Sequence, residues 1–161
     1  MIPAKPSDDL QRRVVVLVFP GVELLDVAGP ANVFTAATRA SSAAGYAVEL
    51  AAEVAGRVVT AGGVELWAKG ARSVRGPIDT LVVPGGLSTA PGRGILRTLR
   101  RLAPGARRLV GVCSGAFLLA EAGLLQGRRV ATHWAGCAAL QRGYPDLEVD
   151  ADAIFVRDGS V

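Results

Sequence analysis

The chain is 161 residues long, half of them apolar and 20% charged, and carries a formal net charge of +4. That length suits one domain with a single sizeable core, and the composition excludes an intrinsically disordered chain. The longest apolar stretches, such as 14–19 and 116–120, fall far short of the roughly 20 residues of a membrane span, which excludes a transmembrane helix.

Residues 1–12 carry charges, Pro3 and Pro6 ahead of any apolar run, with no small-residue cleavage site after the run that follows; they are expected to be a flexible tail on a cytoplasmic protein. Residues 13–19 read as a strand whose run from Val14 to Phe19 is apolar and rich in valine, the pattern of a central strand buried on both faces. Pro20-Gly21 ends it, and a helix is predicted over 22–39, with Gly29-Pro30 expected to kink or restart it. A second strand is predicted over 46–51, then a hairpin of 57–60 and 64–67 turned by Ala61-Gly62-Gly63. Another strand covers 79–83 and stops at Pro84-Gly85-Gly86. On the helix predicted over 94–102, Ile95, Leu96, Leu99 and Leu102 form an apolar stripe and Arg97, Arg100 and Arg101 lie opposite. That pattern reads as a solvated helix face rather than a nucleic-acid surface. A strand over 108–112, a helix over 114–122, a short strand over 129–132, a helix over 134–142 and strands over 147–149 and 154–156 complete the chain. The alternation predicts an α/β domain with an open, mostly parallel sheet and helices on both faces.

The segment Leu109-Val-Gly-Val-Cys-Ser-Gly-Ala-Phe117 delivers Cys113 into a tight turn between a strand and an apolar helix, the layout of a nucleophile elbow. Such a turn lifts the side chain out of the sheet, and the helix N-terminus behind it favours thiolate over thiol. The alternative is a small buried residue at a strand end. In open parallel sheets ligands gather at the carboxyl ends of strands, where the turns Pro20-Gly21, Pro84-Gly85-Gly86 and Cys113-Ser114-Gly115 are expected to converge. The backbone N–H groups of Gly85, Gly86 and Ser114 then form an oxyanion hole beside the Cys113 sulfur, unless Gly85-Gly86 is a plain turn. Two cysteines, Cys113 and Cys137, with no secretion signal point to a reducing compartment, and the single His133 does not complete a zinc site with them. No phosphate loop, dinucleotide fingerprint or metal-ligand cluster is present, so neither cofactor nor metal is expected.

Five pieces together resemble the ThiJ/PfpI superfamily, within the class I glutamine amidotransferase-like fold. They are Val18-Phe-Pro-Gly-Val-Glu-Leu-Leu-Asp-Val-Ala-Gly-Pro30, Ile78-Asp-Thr-Leu-Val-Val-Pro-Gly-Gly86, Val112-Cys-Ser-Gly-Ala-Phe-Leu-Leu-Ala-Glu-Ala-Gly-Leu-Leu125, Ala131-Thr-His-Trp134 and Ile154-Phe-Val-Arg-Asp-Gly159. The resemblance runs over 13–161 and is strongest to the N-terminal domain of GlxA-type regulators of the AraC family; isonitrile hydratase is a second relative. It implies a three-layer α/β sandwich with a mostly parallel, flavodoxin-like sheet. It also implies that the domain at 13–161 is truncated, because such domains continue past the segment matching 154–161 into a further turn and helix.

Carried over residue by residue, the resemblance makes Cys113 the elbow thiol and Asp26 its acidic partner as catalytic residues, with Gly85, Gly86, Ser114 and His133 as ligand-binding residues. Asp26 interrupts the apolar Leu24, Leu25, Val27 and Ala28, although a solvated aspartate on an amphipathic helix is the alternative. His133 orients a ligand or packs beside Trp134. In amidotransferases and PfpI-type proteases a histidine follows the cysteine directly; here Ser114 stands there, which counts against a Cys-His-acid hydrolase. The hydratase carries threonine where Ser114 stands. The function implied is a ligand-sensing and dimerising domain of a transcriptional regulator. Its partners would be a small molecule of unknown identity and a second copy, with DNA contacted only by a C-terminal helix-turn-helix region outside this chain and no membrane involved. The alternatives are a cysteine-dependent hydro-lyase of the isonitrile hydratase type, with Asp26 as base, and a redox-responsive protein whose Cys113 becomes a sulfinate.

Overall fold

The run of valines near the start forms β1 (Arg12–Leu17) and lies inside a six-stranded sheet. The computed structural model describes residues 11–41, 45–86 and 92–161. Strand β1 pairs in parallel with β2 (Tyr46–Ala52) on one side and β5 (Ile78–Val83) on the other. Beyond β2 come β4 (Glu65–Gly70), parallel to it, and β3 (Gly56–Val59), antiparallel to β4; beyond β5 comes β6 (Ala106–Gly111), parallel to it. The order is therefore β3-β4-β2-β1-β5-β6. A separate pair, β7 (Arg129–Val130) and β8 (Glu148–Val149), is also parallel.

Side chains alternate across a strand, and β1 uses both faces. Val14, Val16 and Val18 pack with Val27 and Phe34 of α1 (Leu24–Ala40) and with Val58 and Ala68 of the hairpin. Val15 and Leu17 pack the other way, with Ile95 and Leu99 of α2 (Arg93–Leu102) and Leu118 and Leu119 of α3 (Gly115–Glu121). Leu140 of α4 (Cys137–Gly143) joins that second cluster. The result is the expected three-layer α/β fold, a mostly parallel flavodoxin-like sheet between helices.

Two sequence expectations are corrected. Helix α1 runs through Gly29-Pro30 without a break. Pro30 removes one helical hydrogen bond to the Asp26 carbonyl, and packing of Val27 and Phe34 on the sheet holds the turn together. Residues 154–156 form no strand: among the described strands β8 pairs only with β7, and Ile154 and Phe155 are 99% and 82% exposed, so nothing completes a ladder there. The expected tail over 1–12 lies outside the described residues except for Gln11 and Arg12, and Arg12 already belongs to β1, opposite Tyr46. The helix predicted from 134 begins as a tight turn at Trp134–Gly136 and becomes α-helical at Cys137.

Candidate functional site

The carboxyl ends of β1, β5 and β6 open onto one edge, where the three predicted turns meet. Strand β6 ends at Gly111, and two residues later Cys113 adopts φ +53°, unusual for a residue with a side chain. The chain then reverses into α3, so the elbow is present in its strained form. Gly115 makes the reversal possible: a Cβ there would stand 2.0 Å from the Val83 carbonyl oxygen, so any side chain would drive α3 off the end of β5. Thr132, just after β7, donates its hydroxyl to the Cys113 carbonyl at 2.8 Å and ties the elbow to the next segment.

Asp26 reaches the same spot from the first turn of α1, with 9% of its surface exposed. The start of α1 is fastened to the turn after β5: the Glu23 N–H donates to the Gly85 carbonyl at 2.9 Å, and Val22 bridges to Gly86. Gly85 returns the bond, its N–H donating to Asp26 Oδ2 at 3.0 Å, and a Cβ on Gly85 would lie within 3 Å of both Asp26 and Ser114. The Gly86 N–H donates to the Ser114 hydroxyl at 3.1 Å. These two amides are therefore committed to Asp26 and Ser114. Of the predicted oxyanion hole, the two glycine amides organise the carboxylate and hydroxyl.

The protonation of the pair follows from this crowding. Burial pushes the Cys113 thiol above its ordinary value; the Ser114 amide opposes that, and the negative charges of Asp26 and Glu23, with a hydrogen bond to Asp26, add to the push. Burial likewise pushes the Asp26 carboxyl up, the Gly85 amide pulls it back, Glu23 raises it, and the Cys113 hydrogen bond and His133 lower it. Both shifts favour the protonated forms: burial, Asp26 and Glu23 outweigh the Ser114 amide and the seven-residue helix behind the sulfur, the direction opposite to the expected thiolate.

His133 is exposed, its Nδ1 accepts from the Ala135 N–H at 3.3 Å, and its ring lies 5.3 Å from that of Trp134. It caps the turn before α4 and stands at the mouth of the site, lining with Cys113 and Ser114 a groove of about 710 Å³ between α3 and α4. Phe117 and the Tyr144–Glu121 pair, hydrogen-bonded at 2.7 Å, form the far part of that groove. Burial and the Glu121 carboxylate push the Tyr144 phenol up to about 12. Sequence reasoning missed Thr132, Glu23, Phe117, Glu121 and Tyr144, although all but Tyr144 stood inside motifs quoted for the resemblance, at 18–30, 112–125 and 131–134. Cys137 is buried, with its thiol directed to the His133 carbonyl at 3.6 Å, and takes no part in the cleft.

A sequence profile of the DJ-1/PfpI family matches residues 12–161. Among curated proteins the chain is 42% identical over 137 residues to an uncharacterized protein in the cpoL 5' region of Streptomyces lividans, covering 83% of this chain and 95% of that protein. It is 33% identical over 145 residues to isonitrile hydratase of Pseudomonas putida, covering 88% of this chain and 58% of the hydratase. It is 45% identical over 64 residues to the HTH-type transcriptional regulator GlxA of Rhizobium meliloti, covering 40% of this chain and 19% of the regulator. The chain thus spans under two thirds of the hydratase and about a fifth of GlxA. Among solved structures, an AraC family transcriptional regulator from Pseudomonas putida superposes with a TM-score of 0.75 at 27% identity, over 91% of this chain and 80% of that one. A ThiJ/PfpI family protein from Pseudomonas syringae shares the fold, with a TM-score of 0.80 at 24% identity over 98% of this chain and 66% of that one.

Proposed function

Because this chain belongs to the DJ-1/PfpI family, we propose that its Cys113 cleft binds a small molecule as the ligand-sensing, dimerising domain of a GlxA-like transcriptional regulator. The observation that carries this reading is the superposition of 91% of the chain on an AraC family regulator at 27% identity, supported by the match to GlxA. In this reading Asp26 and Ser114 offer polar partners to the ligand, Gly85 and Gly86 hold those partners in place, Cys113 contributes a neutral thiol, and His133 stands at the entrance. DNA is contacted by a helix-turn-helix region beyond the matched segment, in the cytoplasm. Dimerisation uses the outer face of α1, where Leu25 and Val33 are 74% and 65% exposed.

A second reading, hydration of an isonitrile carbon with Asp26 as base and Cys113 beside it, is favoured by the 33% identity to isonitrile hydratase, with Asp26 and the elbow brought together at the Gly85 turn. One experiment separates the two. A thermal-shift screen of small metabolites on the wild type, Asp26→Asn and Cys113→Ala is run beside an isonitrile-consumption assay. The sensor reading expects a compound that raises the wild-type melting temperature and loses its effect in Asp26→Asn, without turnover. Isonitrile consumption that depends on both residues overturns it in favour of the hydratase.

A further inference from the structure

The chain has 16 arginines, and the fold gathers seven of them at the end of the sheet opposite the Cys113 cleft. Arg12 and Arg13 open β1, Arg107 and Arg108 open β6, Arg72 and Arg75 lie in the connection from β4 to β5, and Arg101 closes α2. Strands β1, β5 and β6 are parallel, so their starts share one edge. Side-chain contacts link the group: Arg13 donates to the Arg75 carbonyl, Arg75 to the Arg72 carbonyl and Arg101 to the Ala71 carbonyl, while Arg12, Arg107 and Arg108 line one end of a long groove beside β6 whose other end reaches Cys113.

Among the described residues two carboxylates belong to this face, and both lie under the guanidiniums. The Glu49 side chain, 15% exposed, takes Arg13 at 2.6 Å and Lys69 at 3.0 Å. Asp79, 10% exposed, takes Arg107 at 2.7 Å and Arg108 at 3.0 Å. Glu121, near Arg100, is held by Tyr144. Negative charge is thus turned inward and positive charge outward. Arg108 is further fixed by Thr80 at 3.1 Å and by the Phe34 ring, 6.0 Å from its guanidinium.

We propose that this arginine face binds the phosphate backbone of duplex DNA without reading its sequence. Guanidinium forks match phosphate oxygens in pairs. From β1 to β6 the face spans about 10 Å, two strand spacings, a length over which a duplex presents several phosphates at one charge per roughly 1.7 Å of axis. Guanidiniums pinned by carboxylates and carbonyls keep a fixed spacing, which suits a stiff polyanion better than a fluid headgroup layer.

The test uses the full chain and a mixed-sequence duplex of about 20 base pairs, followed by fluorescence anisotropy from about 25 to 200 mM salt. Binding in the micromolar range is expected, indifferent to sequence, with log affinity falling against log salt at a slope of about −3, as three or four neutralised phosphates require. Arg12→Glu with Arg72→Glu removes two guanidiniums that have no carboxylate partner among the described residues, and is expected to weaken binding tenfold or more at an unchanged melting temperature. Arg93→Glu with Arg97→Glu, equal in net charge but on α2 away from this face, is expected to change it less than about twofold. Cys113→Ala binds the duplex as the wild type does, whatever becomes of the ligand-sensing reading. No binding at low salt, equal loss in the two double variants, or capture by phosphatidylserine vesicles without duplex binding overturns the proposal.

Discussion

Gly115→Ala tests the elbow most directly, because the clash it creates is with backbone on both sides. The added methyl would lie 2.0 Å from the Val83 carbonyl oxygen, 2.9 Å from its carbon and 3.0 Å from the Pro84 oxygen. Reaching ordinary contact needs a shift of about 1.4 Å between α3 and the end of β5, and no side-chain rotation supplies it. Helix α3 carries Leu118 and Leu119, 4% and 1% exposed, so such a shift loosens core packing as well. Overpacking of this kind costs about 1–3 kcal/mol and here belongs at the upper end; in a domain of this size that is a fall of roughly 6–10 °C in melting temperature. Gly29→Ala is the control of opposite sign: it sits inside α1 with nothing within 4 Å of the new methyl, and is expected to stabilise by about 0.5–1 kcal/mol through helix propensity. Urea unfolding of the two variants and the wild type gives the measurement. A Gly115→Ala midpoint within error of the wild type would refute the close approach of α3 to β5 on which the elbow depends.

Asp26→Asn is expected to raise the melting temperature by about 2–4 °C at pH 7, the effect of roughly 1 kcal/mol. Burial first, then Glu23, raises the folded carboxyl above its unfolded value, so its favourable contribution is present below that unfolded value and is lost as pH rises through the folded one. The gain must therefore vanish in acid, and a pH-independent gain shows that another cause is at work. The same variant removes a negative charge from beside the thiol, so the alkylation rate of Cys113 by iodoacetamide, read by peptide mass, is expected to shift to lower pH; superimposable profiles break the coupling of the two groups. In the wild type, mild peroxide is expected to leave Cys113 largely unoxidised, since the thiolate is the reactive form; rapid sulfinate formation in intact-mass spectra favours the redox reading instead. Ser114→Ala leaves the Gly86 N–H without its acceptor and is expected to cost about 1–2 kcal/mol in urea unfolding, whereas Ser114→Thr keeps the hydroxyl and most of the stability.

Much of the fold was legible because period and punctuation act locally. The valine run of β1, the double glycine of the β3-β4 hairpin and the apolar stripe of α2 each announce an element from neighbouring residues alone. Pro30 misled for the same reason: the local rule breaks a helix, and contacts of Val27 and Phe34 with a distant sheet override it. The site divides in the same way. Cys113 was legible, since a strand, a cysteine and small residues before a helix lie in one stretch of chain. The targets of the glycine amides were not, because Gly85 finds its acceptor on Asp26, 59 residues earlier in sequence. Nor was the arginine face, whose members come from β1, β6, α2 and a loop and share no sequence period.

The elbow and the protonation of its cysteine pull in different directions, and that conflict bears on function. A φ of +53° at a residue with a side chain costs free energy, and the surrounding glycines, Thr132 and the core of α3 maintain it, so the sulfur's position is specified at some expense to stability. A nucleophile needs the thiolate, yet burial, Asp26 and Glu23 all favour the neutral thiol. Asp26 raises the thiol's affinity for its proton and Cys113 lowers the carboxyl's, so the two groups titrate as a coupled pair. A site of this kind recognises a ligand through a donor and an acceptor held at fixed positions, or passes a proton to a substrate that brings its own reactivity. It is poorly arranged for unaided attack by sulfur. A ligand that displaces water and accepts the thiol's hydrogen bond adds to the burial that already favours the neutral form, so ligand binding itself is expected to raise the pH at which Cys113 is alkylated, or to block alkylation altogether if it covers the sulfur. Unchanged alkylation in the presence of a ligand that shifts the melting temperature places that ligand away from Cys113.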